Sequence, residues 1–447
     1  MAVSTHTFQA PKGTRDFYPH DLAVRRYIES VWREVSINHG FDEIDGPTFE
    51  HLDLYTIKSG PGIESELFSF TRSGGDTKYA LRPEFTPTLA RMYAAQAGSL
   101  AKPTKWFSIG PFFRAERPQR GRLREHIQLN VDIVGDDNSS RADAEVIAVA
   151  VAVLDRFGLT PKDVRIKIGH REVLSDLCRR LGYNDNELPK IFSILDKRDK
   201  LDDSGLQREA DKAGVEWQPL CAFKKFLAVS SPNQIKDFAT KTFNVTVSDP
   251  TDLLSTEWYL DRLGISEWCE YDLGIVRGLA YYTGAVFEIH EVGGRERAIA
   301  GGGRYNNLVE LLGGPATAAV GVAMGDVVIR LVLQDKRLLE AVLERSMRPD
   351  VFLIAAKDEV IDQLYPLSSK LRSVGLHVRH SYKATRNVGK LMSEANKARA
   401  RFAVILGKEL DEGNIVLKDL RSGEQEEIAR ETLIEVLRIK LAACEGG

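Results

Sequence analysis

Two hydrophobic periods divide this chain. Leu22, Ile28, Val31, Trp32 and Val35 fall near helical spacing and Gly40 follows them, which predicts a helix over about His20–Asn38. A strand-like run ending at Pro47 comes next. Trp106–Arg114 and His126–Val134 read as extended. In the second of these, Ile127, Leu129, Val131 and Ile133 share one face, while His126, Gln128, Asn130 and Asp132 share the other. An apolar face suits a core; four polar residues in a row on the opposite face suit either solvent or a site. The stretch Ala115–Glu125 between them carries Arg117, Arg120, Arg122 and Arg124 with Pro118 and Gly121, and predicts a basic hairpin loop.

Further along, the spacing predicts a helix over about 141–157 and a strand at Val164–Ile168. A mostly helical insertion, richer in Lys and Asp, is expected over about 171–262. Strands are expected at Glu270–Val276 and Tyr281–His290, and a helix from near Gly325 to about Arg345. Pro349 marks a boundary. Beyond it Val351–Ala355, Val360–Val374, His377–His380, Val388–Ala400 and Phe402–Leu406 alternate strand and helix, which predicts a small α/β domain with a mixed sheet.

Composition narrows the class. Of 447 residues, 43% are hydrophobic and 28% charged, an ordinary globular balance. Lys and Arg number 61 against 64 acids, a net charge of −3, so contact with nucleic acid must come from a local patch. Such a patch exists: Arg379, Lys383, Arg386, Lys390, Lys397, Arg399 and Arg401 face one acid, Glu394, between His377 and Arg401. The longest apolar run, Val146–Leu154, is too short to cross a membrane. The first residues have neither a basic start nor an apolar core, so no secretory signal is expected. Cys178, Cys221, Cys269 and Cys444 form no Cys-x-x-Cys pair, which fits a reducing, cytoplasmic location without a cysteine zinc site. Neither a P-loop nor a Gly-x-Gly-x-x-Gly run occurs.

Five segments could carry chemistry. Arg114 and Glu116 precede the basic loop, and Gln128 and Asp132 follow it. Arginine grips phosphate oxygens in a planar, charge-assisted way, and a Gln–Asp face can hold a cationic amino group. In Leu81-Arg-Pro-Glu-Phe-Thr86, Glu84 follows a proline-fixed backbone, although a lone loop glutamate is usually solvated. Arg277-Gly-Leu-Ala-Tyr-Tyr-Thr-Gly284 reads either as a binding strand or as two tyrosines packing on a sheet. Gly301-Gly-Gly-Arg-Tyr305 permits close approach to a ligand, but a tight turn explains such a run more often. Gly321-Val-Ala-Met-Gly325 opens a helix whose free N–H groups can face an anion.

Taken together and in this order, the segments resemble one family. Arg114-Ala-Glu-Arg-Pro-Gln-Arg-Gly-Arg-Leu-Arg-Glu-His-Ile-Gln128 looks like the second signature motif of class II aminoacyl-tRNA synthetases. Arg277-Gly-Leu-Ala-Tyr-Tyr and Gly-Gly-Arg-Tyr are similar to the two histidine motifs of the histidyl-tRNA synthetase family, and Lys12-Gly-Thr-Arg-Asp and Leu81-Arg-Pro-Glu also match. The resemblance implies an α+β fold: a class II antiparallel sheet with flanking helices and a mostly helical insertion, then the small α/β domain with its mixed sheet. It implies a catalytic domain at 1–335, a linker at 336–348 and an anticodon-binding domain at 349–447. The implied reaction joins histidine to its tRNA through histidyl-adenylate, using ATP with Mg²⁺ and no metal held by protein side chains.

By the same resemblance Arg114 and Arg277 act on the ATP α-phosphate, with Glu116 and Arg122 also on the nucleotide. Glu84, Thr86 and Gln128 would hold the histidine amino group, Asp132 and Tyr282 the imidazole, and Tyr305 would close the pocket. Gln119 and Arg124 would meet the tRNA acceptor end, and Arg379, Lys383 and Arg386 lie on the basic stripe that would meet tRNA elsewhere. The first helix and the Gly46-Pro47 strand resemble the motif that forms a two-fold interface, so a homodimer without membrane contact is expected.

Departures from the family pattern are also legible. Asp132 stands where Glu is usual, Ala280 and Asn306 where Asp is frequent. The third class II motif normally ends in an Arg that stacks on adenine; here Gly325 is followed by Asp326-Val327-Val328, and Val328 holds the Arg position. That change leaves room for a rival reading, a catalytically silent paralogue regulating histidine biosynthesis. A bare RNA-binding module is a further rival, countered by the intact set Glu84, Gln128, Tyr282 and Arg277; another class II synthetase with the same C-terminal domain is countered by Arg277-Gly-Leu-Ala-Tyr-Tyr.

Overall fold

The computed structural model describes residues 8–59, 61–195, 197, 201–216, 229, 231–245, 247, 251–275, 281–340, 342–343 and 348–445. The chain divides into two compact units, one of Met1–Tyr18 with Val24–Leu339 and one of Pro19–Ala23 with Glu340–Gly447. Among the described residues no helix is long and apolar enough to cross a membrane.

The strands of the first unit are β1 (Asp42–Glu43), β2 (Phe49–His51), β3 (Ser69–Thr71), β4 (Lys78–Leu81), β5 (Thr104–Phe113), β6 (Glu125–Val134), β7 (Val164–His170), β8 (Cys269–Tyr271), β9 (Ala285–Glu291), β10 (Ala300–Arg304) and β11 (Ala319–Gly325). Eight of them form one sheet in the order β1-β5-β6-β11-β10-β9-β7-β8, and β2-β4-β3 form a small second sheet. From β5 through β7 every neighbouring pair is antiparallel; only the edge pairs β1–β5 and β7–β8 are parallel. Hairpin and meander connections give this pattern, whereas a dinucleotide-binding fold needs parallel crossovers.

β6 lies near the middle because its odd face, Ile127, Leu129, Val131 and Ile133, is almost fully buried. Each such side chain contributes roughly 1.5–3 kcal/mol when removed from water. The helix Ser139–Arg156 packs against β6 and β11. It starts where the Asn138 side chain accepts a hydrogen bond from the Arg141 N–H. The insertion is helical where described, with helices Arg171–Arg180, Leu188–Leu195, Asp203–Ala213, Ile235–Phe243 and Thr251–Arg262.

Three expectations need correction. Gly301–Arg304 is strand β10, not a tight turn, because its backbone pairs on both sides with β9 and β11. Tyr281 and Tyr282 precede β9, which starts only at Ala285. The helix from Asp326 stops at Asp335, and Arg337, at φ 59°, turns the chain left-handed soon after.

The second unit holds β12 (Val351–Ala355), β13 (Val378–His380), β14 (Phe402–Leu406), β15 (Asn414–Asp419) and β16 (Gln425–Ala429), ordered β13-β12-β14-β15-β16. β12 runs parallel to β13 and β14, and the last two strands are antiparallel, a mixed sheet as expected. β15, β16 and the closing helix Leu433–Glu445 were not foreseen from the sequence.

Candidate active site

The even face of β6 is not solvated. Gln128, Asn130 and Asp132 are 6%, 2% and 2% exposed, so a row of polar groups lies inside the molecule. What covers them is mostly missing side chains. Across the sheet Gly325 stands opposite Gln128, Ala323 opposite Asn130 and Gly321 opposite Asp132, and Gly301 stands opposite Ala323. With only Gly and Ala above the strands, the sheet itself becomes the floor of a cavity of about 360 Å³. A methyl group on Gly321 would collide with the Asp132 carboxylate.

Seven of the residues singled out from the sequence line this cavity: Glu84, Thr86, Arg114, Arg122, Gln128, Tyr282 and Tyr305. Glu84 sits between β4 and the helix Thr86–Gln96, whose first residue is Thr86. Arg114 immediately follows β5 and donates from Nε to the Pro83 carbonyl at 3.4 Å. Asp132 does not line the cavity itself; it lies behind Gly321 and Tyr305, which do, and its Oδ1 accepts from the Tyr305 hydroxyl at 2.7 Å. Glu116 forms an ion pair with Arg122. His126 and Asn130, seen from the sequence only as part of a polar face, also line the cavity. Their burial beside glycine-rich strands is the signal that sequence periodicity cannot carry.

The hydrogen bonds of the floor are incomplete. His126 Nε2 approaches Gln128 Oε1 at 3.3 Å, and Gln128 donates to Asn130 Oδ1 at 2.8 Å. Asn130 Nδ2 and Asp132 Oδ2 are buried without a partner. A buried donor and a buried acceptor left open beside a cavity cost about 1–3 kcal/mol each unless a ligand satisfies them.

Charge follows burial. Loss of water pushes the Asp132 carboxyl up to about 7, against the pull of the Tyr305 hydrogen bond. Burial likewise raises Glu84 to about 7, although the Tyr281 hydroxyl bonds to it and Arg114 is near. His126 is pushed down to about 4 by burial and then by Arg114, so it is neutral at physiological pH. The site is therefore acidic where Asp132 and Glu84 lie, with Arg114 close to Glu84 and Arg122 held by Glu116.

Other motif residues hold the frame. Arg15 donates to both Asp326 oxygens, at 3.1 and 2.8 Å, and Asp326 Oδ1 accepts the Ile127 N–H at 2.9 Å. Gly13, at φ +89°, packs against Pro118 and Arg124, and its carbonyl accepts the Arg124 N–H at 2.8 Å. Arg304 is buried on Asp143 and the Ser139 carbonyl. Gln119 is exposed at the tip of the hairpin loop, bridged to Arg122 through the backbone, while Arg124 at its base donates to the Glu116 carbonyl at 3.2 Å. Arg277 and Ala280 lie outside the described residues. Among the described residues no group of three or more His, Cys, Asp or Glu is placed to hold a metal ion.

In the second unit Arg379, Lys383, Lys390, Lys397 and Arg399 are exposed, but Lys383 pairs with Glu394 at 3.0 Å and Arg386 with Asp358 at 2.8 Å. Arg401 is only 7% exposed and does not belong to the stripe. Next to Arg379, His380 touches Tyr365 and Tyr382, which are 57% and 93% exposed.

Residues 13–326 match the family described as histidyl-tRNA synthetase. The chain belongs to the histidyl-tRNA synthetase family. Residues 350–440 match an anticodon binding domain. A histidine–tRNA ligase of Opitutus terrae is 37% identical, with 97% of this chain and 98% of that one covered. A chloroplastic/mitochondrial histidine–tRNA ligase of Arabidopsis thaliana is 35% identical over 93% of this chain and 84% of that one. The crystal structure of a Nostoc histidyl-tRNA synthetase superposes with a TM-score of 0.77 at 26% identity, covering 97% of this chain and all of that one (100%). The antiparallel class II fold inferred from the motifs is thus the fold of the family.

Proposed function

We propose that this protein joins histidine to its tRNA in two steps, by way of histidyl-adenylate. The observation that carries the reading is the open, buried pair beside the cavity, Asp132 Oδ2 and Asn130 Nδ2, in a chain of this family. A ring N–H of the substrate imidazole satisfies the Asp132 carboxylate. An amino acid without that N–H leaves the carboxylate buried and unpaired, a far larger penalty than a missing methylene. Tyr282 flanks the ring, and Tyr305 orients Asp132 through its hydroxyl. The α-ammonium lies against Glu84 and Gln128, beside Thr86.

Arg114 would act on the ATP α-phosphate together with Arg277, and Arg122 would serve the nucleotide end, where Glu116 pairs with it until phosphate takes its place. The histidine carboxylate oxygen attacks the α-phosphorus, the bond to the pyrophosphate oxygen breaks, and negative charge gathers on the non-bridging oxygens. Fixed guanidiniums stabilise that charge without reorganising. In the second step a ribose hydroxyl at the tRNA end attacks the acyl carbon and AMP leaves. We infer that Mg²⁺ reaches the site on the ATP phosphates and screens their charge, since among the described residues no group of three or more His, Cys, Asp or Glu is placed to hold it.

Gln119 at the loop tip and Arg124 at its base would meet the acceptor end of the tRNA. The exposed Arg379 and Lys383, with Arg386, would meet the anticodon region, and the neighbouring exposed Tyr382 offers a ring on which an unpaired base can stack. The reading includes a homodimer built through the N-terminal helix region and action in the cytoplasm. The regulatory alternative is less favoured, because the named relatives are ligases matched over nearly their whole length.

The test is ATP–pyrophosphate exchange on the purified chain with Mg²⁺, run with histidine and with every other amino acid. Exchange with histidine alone is expected. Folded protein that exchanges with no amino acid overturns the reading.

A further inference from the structure

The nucleotide end of the cavity is built differently from its histidine end. Its walls are Leu123 and Gly121 from the hairpin loop, Ala298 from the connection between β9 and β10, and Val327 and Val328 from the first turn of the helix Asp326–Asp335. All are apolar or lack a side chain. Such walls accept the flat face of a purine, but a heteroaromatic ring is held better when a planar cation covers its other face.

The helix supplies no such cation. Val328 lines the cavity, and Arg330, two residues later, is turned about 200° round the helix to another face. Arg114 stands at the Glu84 end of the cavity, and Arg122 is paired with Glu116. A fourth arginine borders this end from another element, beside the lining residues Gly121 and Ala298. Arg297 immediately precedes Ala298 and is half-buried. A Cβ placed on Gly121 would lie 3.6 Å from both Cγ and Cδ of Arg297 and 3.4 Å from Cγ2 of Val328. The stem of Arg297 therefore passes over the hairpin loop beside Val328. Gly121, at φ +73°, is where the backbone allows that approach.

We propose that Arg297 is the residue that holds the nucleotide base, its guanidinium covering the purine face that Val328 leaves bare. The chain thus takes from the β9–β10 connection a contact that its helix does not provide. Arg297 has interactions of its own, and a base entering beside Gly121 adds one more face to them. This inference rests on the ATP-dependent reading above.

The experiment uses the full chain and two readouts. Histidine-dependent ATP–pyrophosphate exchange gives KM for ATP and for histidine separately; calorimetry gives ATP affinity without requiring turnover. Arg297→Ala is expected to raise the ATP KM at least tenfold and weaken calorimetric ATP binding equally, with the histidine KM within twofold of the parent. Arg297→Lys is expected to restore little, since an ammonium group has no plane to stack. Adding Val328→Arg to Arg297→Ala, which returns a guanidinium from the helix, is expected to restore most of the ATP affinity. ATP binding within twofold of the parent in Arg297→Ala overturns the inference, and so does a parallel loss for histidine. Absence of exchange in the parent chain overturns the synthetase reading instead, and calorimetry on the same proteins still decides the role of Arg297.

Discussion

The even face of β6 and the loop that leads into it are both polar, yet they are finished in opposite ways. The loop neutralises itself. Arg122 pairs with Glu116, and Arg120 Nε donates at 2.8 Å to Glu296 on the β9–β10 connection. Its backbone closes between Gln119 and Arg122. The strand face does the reverse: it is buried and leaves Asp132 Oδ2 and Asn130 Nδ2 unanswered. A charge run at the surface is cheap to satisfy, because neighbours and water are at hand. A polar row on a central strand is costly, and it persists where a ligand completes it. The histidine end is preorganised with open valences, whereas the nucleotide end must exchange internal ion pairs for phosphate.

The largest effect should come from filling the floor. Gly321→Ala puts a methyl group into the Asp132 carboxylate and close to the Val131 carbonyl. Displacing reacting groups by about 1 Å costs on the order of a hundredfold. The histidine KM in pyrophosphate exchange is expected to rise at least that far, with the ATP KM much less changed. Equal loss for both substrates would mean that the two ends do not act separately.

A smaller and more specific effect is expected from Asp132→Asn, which keeps the shape and the Tyr305 hydrogen bond. Loss of one hydrogen bond to a charged group is worth about 1.5–3 kcal/mol, or roughly 10- to 100-fold in histidine KM. It also carries a pH signature. Asp132 and Glu84 both titrate near 7 in the folded chain, well above ordinary carboxyls. A raised carboxyl means that the folded chain holds the proton more tightly than the unfolded one. These two groups therefore favour the fold at low pH and oppose it increasingly as pH rises from about 4 to 7. A cationic amino group and a ring N–H require the charged forms, so histidine affinity should rise from pH 6.5 to 8, with protons released on binding. Asp132→Asn should flatten part of that slope; a slope unchanged in the variant would remove Asp132 from the pocket.

These residues show where sequence reading succeeds and where it stops. The period of two in His126–Val134 is a local property, so the strand and its polar face were legible. Whether that face meets water or a cavity depends on Gly321, Ala323 and Gly325, nearly two hundred residues later, and no period joins them. For the same reason the sequence alone favours a turn where β10 runs: a glycine run has no face until its neighbours supply one. The motifs point to Glu84, Gln128 and Tyr305, which the structure brings to one cavity, but they do not give the division of labour among the arginines. Arg304 and Arg15, both inside recognisable motifs, are bonded to Asp143 and Asp326 in the frame. Arg297 belongs to no motif and reaches the cavity's edge only through the approach of Gly121.

The smallest effect tests the other half of the comparison. If the loop holds its charge in reserve, removing the acid that occupies Arg122 should favour the nucleotide. Glu116→Gln breaks a partly buried ion pair whose worth is about 1 kcal/mol or less. The ATP KM is therefore expected to fall by up to about fivefold, with the histidine KM unchanged. The opposite sign is equally informative, because Glu116 is bonded to Arg122, which lines the cavity. A rise in ATP KM would assign Glu116 itself to the nucleotide and make its bond to Arg122 a means of aiming the carboxylate. Salt separates the two cases further. A pair that merely competes with phosphate loses strength as ionic strength rises, so the parent and Glu116→Gln should converge toward 0.5 M salt. A carboxylate that contacts the base should leave the gap between them open.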